Sequence, residues 1–211
     1  MRVALIDYES GNLHSAAKAV ALVGAKRGAE VQVTSDPEVI ARADRIILPG
    51  DGAFPACRAA FDAVPGLHEA LERAVTQRGV PFLGICVGMQ MLADEGLEYR
   101  PTPGFGWIAG RVERIAPSDP RLKVPHMGWN DLILHRPHPV LDGVPSGGHA
   151  YFVHGWHFVT ERPEDLVASV DYGGPVTAAV GRDNILGLQF HPEKSQALGL
   201  RILGNFLDWR P

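Results

Sequence analysis

Short apolar runs alternate with helical patterns through the first half of the chain, and no other feature restricts the fold as much. Residues 3–6 read as a short buried strand, and residues 31–33, 46–48 and 80–85 as further strands. Between them, Leu13, Ala16, Ala17, Val20 and Ala21 mark one helical face, and helical patterns cover residues 53–63 and 67–78. Strands joined through helices in this way pair in parallel, because a right-handed crossover returns each strand to the same edge of a sheet.

The second half changes character. Residues 112–115, 151–153, 167–170, 176–180 and 185–190 read as short strands separated by Gly/Pro turns. A closing helix over residues 195–209 carries Leu198, Ile202, Leu203, Phe206 and Leu207 on one face, with Ser195 as its N-cap. No linker, repeat or low-complexity tract divides the chain. The expectation is one α/β domain over residues 1–211: an open, mostly parallel central sheet, helices on both faces and an antiparallel flank.

A chain of 211 residues buries roughly 70% of its unfolded surface, enough for a proper core. Its net charge of −4 offers no basic footprint for nucleic acid or an anionic membrane. Two cysteines, Cys57 and Cys86, are too few for a disulfide framework. The apolar start ends at Asp7, too early for a secretory signal. Residues 143–160 lack Asp, Glu, Lys and Arg, but Pro145, Gly147, Gly148 and three histidines rule out a membrane span there. A soluble, cytoplasmic protein is expected.

The sharpest chemical signal is Gly84-Ile85-Cys86-Val87-Gly88, directly after a buried strand. A nucleophile between two glycines suits a sharp strand-to-helix turn, where a Cβ at either flank would clash. Such an elbow lifts the sulfur above the sheet, beside a helix N-terminus where anions are stabilised. An unperturbed thiol is only about 3% ionised at pH 7, so a base is also needed. Alone, the motif fits a small buried cysteine in a βα turn equally well.

Gln189-Phe190-His191-Pro192-Glu193 shifts the balance. Residues two apart in extended chain share a face, so His191 and Glu193 project together. A carboxylate beside an imidazole fixes its tautomer and stabilises the imidazolium that forms when it takes a thiol proton. Pro49-Gly50-Asp51-Gly52 ends a third strand and can expose backbone N–H groups to an oxyanion, although a plain turn would look the same. In an open α/β sheet all three segments lie at strand C-termini, where such sites form. His135, His138, His149, His154 and His157 lack paired metal-ligand spacing, and no dinucleotide fingerprint or P-loop is present, so neither metal nor cofactor is expected.

At these residues the chain resembles the class I (triad-type) glutamine amidotransferases, and within them the glutaminase subunits of imidazole glycerol phosphate synthase. The match also takes in Ile6-Asp7-Tyr8, Ser10-Gly11-Asn12-Leu13, Gly52-Ala53-Phe54-Pro55, Met89-Gln90, Val124-Pro125-His126-Met127-Gly128-Trp129-Asn130, Tyr151-Phe152-Val153-His154 and Lys194-Ser195. The resemblance implies that Cys86 forms a γ-glutamyl thioester, that His191 moves the protons and that Glu193 orients His191. It implies an oxyanion and glutamine site at Gly50, Asp51, Gly52, Val87, Gln90, Tyr151 and His154. It further implies a heterodimer with a (β/α)8-barrel cyclase/synthase subunit (HisF-type), contacted by Asn12, Met127, Trp129, Asn130 and Lys194. Ammonia would pass to that partner, which makes imidazole glycerol phosphate and an aminoimidazole carboxamide ribotide in histidine biosynthesis.

Three positions depart from the family pattern. Glu9 stands where glycine is usual, Asp51 where the oxyanion strand carries a small or apolar residue, and Gly155-Trp156 where a hydroxyl residue and tyrosine are commoner. Asp51 is expected to cap the helix that begins near Ala53. The alternative assignments are the glutaminase of another class I enzyme, such as those of pyridoxal phosphate or anthranilate synthesis, and a plain cysteine hydrolase on a related elbow fold.

Overall fold

The computed structural model describes residues 1–9 and 13–211. Asn12, expected at a partner interface, therefore lies outside the described residues. The first half runs β1 (Arg2–Ile6), α1 (Leu13–Ala25), β2 (Glu30–Thr34), α2 (Pro37–Ala41), β3 (Arg45–Gly50), α3 (Phe54–Asp62), α4 (Leu67–Glu72), β4 (Phe82–Cys86) and α5 (Val87–Gln90). A single π-helical turn, Arg73–Gln77, extends α4. The second half holds β5 (Glu95–Gly96), β6 (Thr102–Pro103), β7 (Gly110–Arg114), β8 (His126–Asp131), β9 (Ile133–Leu134), β10 (His149–His154), β11 (Trp156–Thr160), β12 (Leu166–Asp171), β13 (Pro175–Arg182), β14 (Ile185–Leu188) and α6 (Gln196–Asp208).

Among the described residues, eight strands form the main sheet in the order β2-β1-β3-β4-β14-β13-β12-β9. The five from β2 to β14 pair in parallel, and β13, β12 and β9 continue the sheet antiparallel. Every residue of β4 and β14 is buried, as central strands covered on both faces must be, whereas β2 at the edge is largely exposed. Helices α1 and α6 pack together, while α2 and α3 pack on α4. Among the described residues no helix is long and apolar enough to cross a membrane.

Several elements differ from the expectation for physical reasons. Helix α2 escaped the periodicity because it has only five residues, although Asp36 caps it, accepting from the Glu38 amide, and Pro37 opens it. Helix α1 is rotated from the expected face: Ala16, Ala19, Val20, Val23 and Gly24 are buried, and Ala21 is exposed. Strands β8 and β11 carry histidines, tryptophans and a glycine in place of an aliphatic alternation. They pair outside the main sheet, β8 with β10 and β11 with β7.

Ser195 holds the N-cap position of α6, yet its hydroxyl makes no capping bond. It donates to the His191 carbonyl at 2.7 Å and accepts from the Tyr151 amide at 3.0 Å. The His191 amide in turn donates to the Tyr151 carbonyl at 3.0 Å. One buried hydroxyl thus joins β10 to the segment that follows β14. Ser195→Ala would orphan a backbone donor, and we expect a loss of about 1–3 kcal/mol in a urea melt. A change of a few tenths would mean that water satisfies the amide instead.

Candidate active site

The parallel register places Gly50, the last residue of β3, opposite Cys86, the last residue of β4. Strand β14 pairs with the other edge of β4, Leu188 opposite Ile85, so the chain leaving β14 reaches Cys86 from that side. The three segments picked out by motif therefore meet at one end of the sheet. Cys86 is 5% exposed and His191 3% exposed, so the chemistry would take place out of bulk water.

Cys86 has φ 55° and ψ −114°, a conformation that costs an ordinary residue on the order of 1–3 kcal/mol. The flanking glycines permit it. A methyl group on Gly88 would lie 1.9 Å from the Leu48 carbonyl oxygen, and one on Gly84 would lie 2.5 Å from the Gly88 carbonyl oxygen. This turn opens α5 at the very next residue, Val87. The first amides of a helix have no intrahelical acceptor, which leaves the Val87 N–H available beside the sulfur.

His191 Nδ1 lies 2.8 Å from Glu193 Oε1, and both side chains are almost wholly buried. Burial works against the imidazolium, but the attraction of the Cys86 sulfur and then of the Glu193 carboxylate outweighs it and pushes the His191 pKa up to about 10. His191 Nε2 and Glu193 Oε2 make no aligned hydrogen bond. The influence of Cys86 on the ring is thus a close electrostatic contact, of the kind that tightens once a substrate is held.

The other expected site residues divide. Gln90 is buried, and its Nε2 donates to the Trp156 carbonyl at 3.0 Å and to Gln189 Oε1 at 3.1 Å. Gln189 Nε2 reaches the Cys86 sulfur at 3.7 Å, a contact for which the sequence offered only a position in a strand motif. His154 is buried near His191, whereas Tyr151 turns to the opposite face of β10, edge-on to Trp129 with ring centres 5.7 Å apart. Met127 and Trp129 are 64% and 47% exposed. Asn130 alternates inward and bonds within the protein, and half-buried Lys194 ends the turn Pro192–Lys194.

The departures from the family pattern are also explained. Glu9 sits at φ 63°, the left-handed region that glycine adopts without penalty. Asp51 is exposed and does not cap α3. The N-cap position is Ala53, without a side-chain cap, and Glu98 from a distant loop accepts from the Phe54 amide at 2.8 Å. The Asp51 carbonyl instead accepts from the Cys57 thiol at 3.5 Å. At Gly155-Trp156 it is the Trp156 carbonyl that contacts the site, so the change of side chain leaves that contact intact. Among the described residues no group of three His, Cys, Asp or Glu side chains could hold a metal ion.

The family model described as glutamine amidotransferase class-I matches residues 4–209. The chain is 61% identical to the imidazole glycerol phosphate synthase subunit HisH of Cereibacter sphaeroides and 61% identical to that of Ruegeria pomeroyi, covering 100% of both chains in each case. It is 55% identical to the HisH subunit of Caulobacter vibrioides over 99% of each chain. A crystal structure of a glutamine amidotransferase superimposes with a TM-score of 0.71 at 20% identity, covering 98% of this chain and 97% of that one. A glutamine amidotransferase of Thermotoga maritima gives 0.61 at 18% identity over 92% and 76%, so these two matches speak to the fold alone. The chain belongs to the class I glutamine amidotransferase family, in its HisH group.

Proposed function

We propose that the chain hydrolyses glutamine to glutamate and ammonia in the cytoplasm, as the glutaminase subunit of imidazole glycerol phosphate synthase. The observation that carries this reading is the strained Cys86 at the head of α5, in contact with the buried His191–Glu193 pair. The sulfur attacks the side-chain amide carbon of glutamine and forms a γ-glutamyl thioester as the C–N bond breaks. His191 gives the proton it has taken from the Cys86 thiol to the departing nitrogen, releasing ammonia. It then takes one from the water whose attack on the thioester releases glutamate and frees the Cys86 sulfur. Glu193 holds the ring in one tautomer and offsets its positive charge. The Val87 N–H and an N–H of residues 50–52 serve the tetrahedral oxyanion, each worth on the order of 10²–10³ in rate.

The ammonia acceptor in this reading is a (β/α)8-barrel cyclase subunit seated over β8 and β10. Exposed Met127 and Trp129, with Tyr151 packed on Trp129, supply the aromatic anchor that such a contact uses. Lys194 immediately precedes Ser195, which lines one surface hollow with Trp129, and it suits an acidic group of the partner. Asn130 joins the contact only from behind, through the position it gives β8.

Cys86→Ala tests the division of labour. In the complex with the cyclase it should lower glutamine-dependent synthesis by on the order of 10⁴-fold or more and leave ammonia-dependent synthesis intact. Loss of both activities in a well-folded complex would contradict the reading.

His191 gives a pH prediction. Its folded pKa of about 10 lies above the ordinary 6.5, so its contribution to stability is complete below about pH 6.5 and is lost as the pH rises through about 10. Nitrogen-15 spectra of labelled histidine should show His191 as imidazolium at pH 8, and Glu193→Gln should lower its pKa. A wild-type ring that titrates near 6.5 would contradict the ion-pair description.

A further inference from the structure

Behind the nucleophile a largely buried chain of hydrogen bonds, through five side chains and the Trp156 carbonyl, leads from Cys86 to the partner-facing ribbon. Asn130 Nδ2 lies 3.3 Å from His126 Nε2, and His126 Nδ1 lies 3.2 Å from His154 Nε2. His154 Nδ1 lies 2.9 Å from the Trp156 carbonyl oxygen, which also accepts from Gln90 Nε2 at 3.0 Å. Gln90 Nε2 continues to Gln189 Oε1 at 3.1 Å, and Gln189 Nε2 to the Cys86 sulfur at 3.7 Å.

Two carbonyl groups fix every direction in this chain. The Trp156 carbonyl can only accept, so His154 carries its proton on Nδ1, and in the neutral ring Nε2 is an acceptor. His126 must then donate from Nδ1, which makes its own Nε2 an acceptor for the Asn130 amide. The Asn130 amide is oriented independently: Nδ2 donates to the Asp171 carbonyl at 3.0 Å, and Oδ1 accepts from the Asp131 amide at 2.8 Å. From the same Trp156 oxygen the orientation of Gln90 follows, then that of Gln189, whose N–H is left to face the sulfur. Burial keeps both rings neutral, with pKa values lowered to about 4 for His126 and about 3 for His154.

We propose that His126 and His154 are positioning residues for the glutaminase reaction, fixing the Trp156 carbonyl and through it the Gln90–Gln189 pair that holds the Cys86 sulfur. An apolar pair would fill the same volume without the cost of desolvating two imidazoles, so packing alone gives no reason for them. His126 already has apolar neighbours, stacked on Phe152 at 4.9 Å and close to Tyr172 at 4.1 Å between ring centres. The chain begins on β8, whose opposite face presents Met127 and Trp129. The nucleophile's support and the proposed partner surface therefore share one strand.

The proposal rests on Cys86 being the glutaminase nucleophile, so its test carries Cys86→Ala as a reference. Two substitutions of His126, measured in the full complex with the cyclase, separate positioning from packing. His126→Phe keeps a stacked ring and removes both nitrogens. His126→Asn gives up the ring but keeps an N–H where Nδ1 donates to His154. Positioning predicts that His126→Phe lowers glutaminase kcat by roughly 10- to 100-fold with little change in KM, and that His126→Asn recovers most of that loss although it melts lower. Packing alone predicts the opposite ranking, with His126→Phe the milder change, and that ranking would overturn the proposal. If neither variant folds, nitrogen-15 spectra of the wild type decide. Both rings must be neutral Nδ1–H tautomers at pH 7, and an Nε2–H tautomer or an imidazolium at either would overturn it. A Cys86→Ala complex as active as wild type would refute the functional reading instead.

Discussion

The contact between the Gly88 backbone and the Leu48 carbonyl, at the turn from β4 into α5, is the constraint on which the rest of the site depends. No side chain fits there, since a methyl on Gly88 would fall 1.9 Å from the Leu48 oxygen. Because the two backbones approach too closely to admit a Cβ, α5 can start immediately after β4, with Cys86 held at φ 55° in the turn between them. The parallel register then sets Gly50 beside the nucleophile on one side, and β14 delivers His191 and Glu193 on the other. Strain at one residue is sustained by the buried strands β3, β4 and β14 around it, the usual way in which a fold holds a reactive group in an unfavourable conformation.

The histidines show how one residue type does opposite work in one region. Burial alone would keep all of them neutral, and it does so for His126 and His154, which have each other and, among the described residues, no carboxylate. His191 is also buried, but it faces a sulfur on one side and a carboxylate on the other, and its pKa moves the other way. A charged imidazole suits proton transfer, whereas neutral ones suit a hydrogen-bond chain of fixed direction. Environment makes the assignment.

How much of this could be read from the sequence followed the range of the interactions involved. The central parallel strands β1, β3 and β4 were legible because strands buried on both faces leave continuous apolar runs. The cysteine elbow and the His-Pro-Glu segment were legible because backbone strain and a shared extended face are local. Strand β8 was not, since it exposes Met127 and Trp129 on one face and buries His126 on the other, and β11 was not, since Phe158 is its one buried residue; neither has an aliphatic alternation. The expected Asp51 cap failed for a related reason. The group that takes the Phe54 amide is Glu98, which approaches only in three dimensions. The same holds for Gln189, whose contact with the sulfur depends on Gln90 from another element.

All of these features converge on one sulfur atom. Acid-quenched turnover of the assembled synthase with glutamine, followed by peptide mass spectrometry, tests that most directly. A γ-glutamyl adduct should appear on the peptide carrying Cys86 and not on the one carrying Cys57, which is buried against the Asp51 carbonyl and serves as an internal control. An adduct on Cys57, or turnover with no adduct on either cysteine while a known glutaminase gives one under the same quench, would contradict the account.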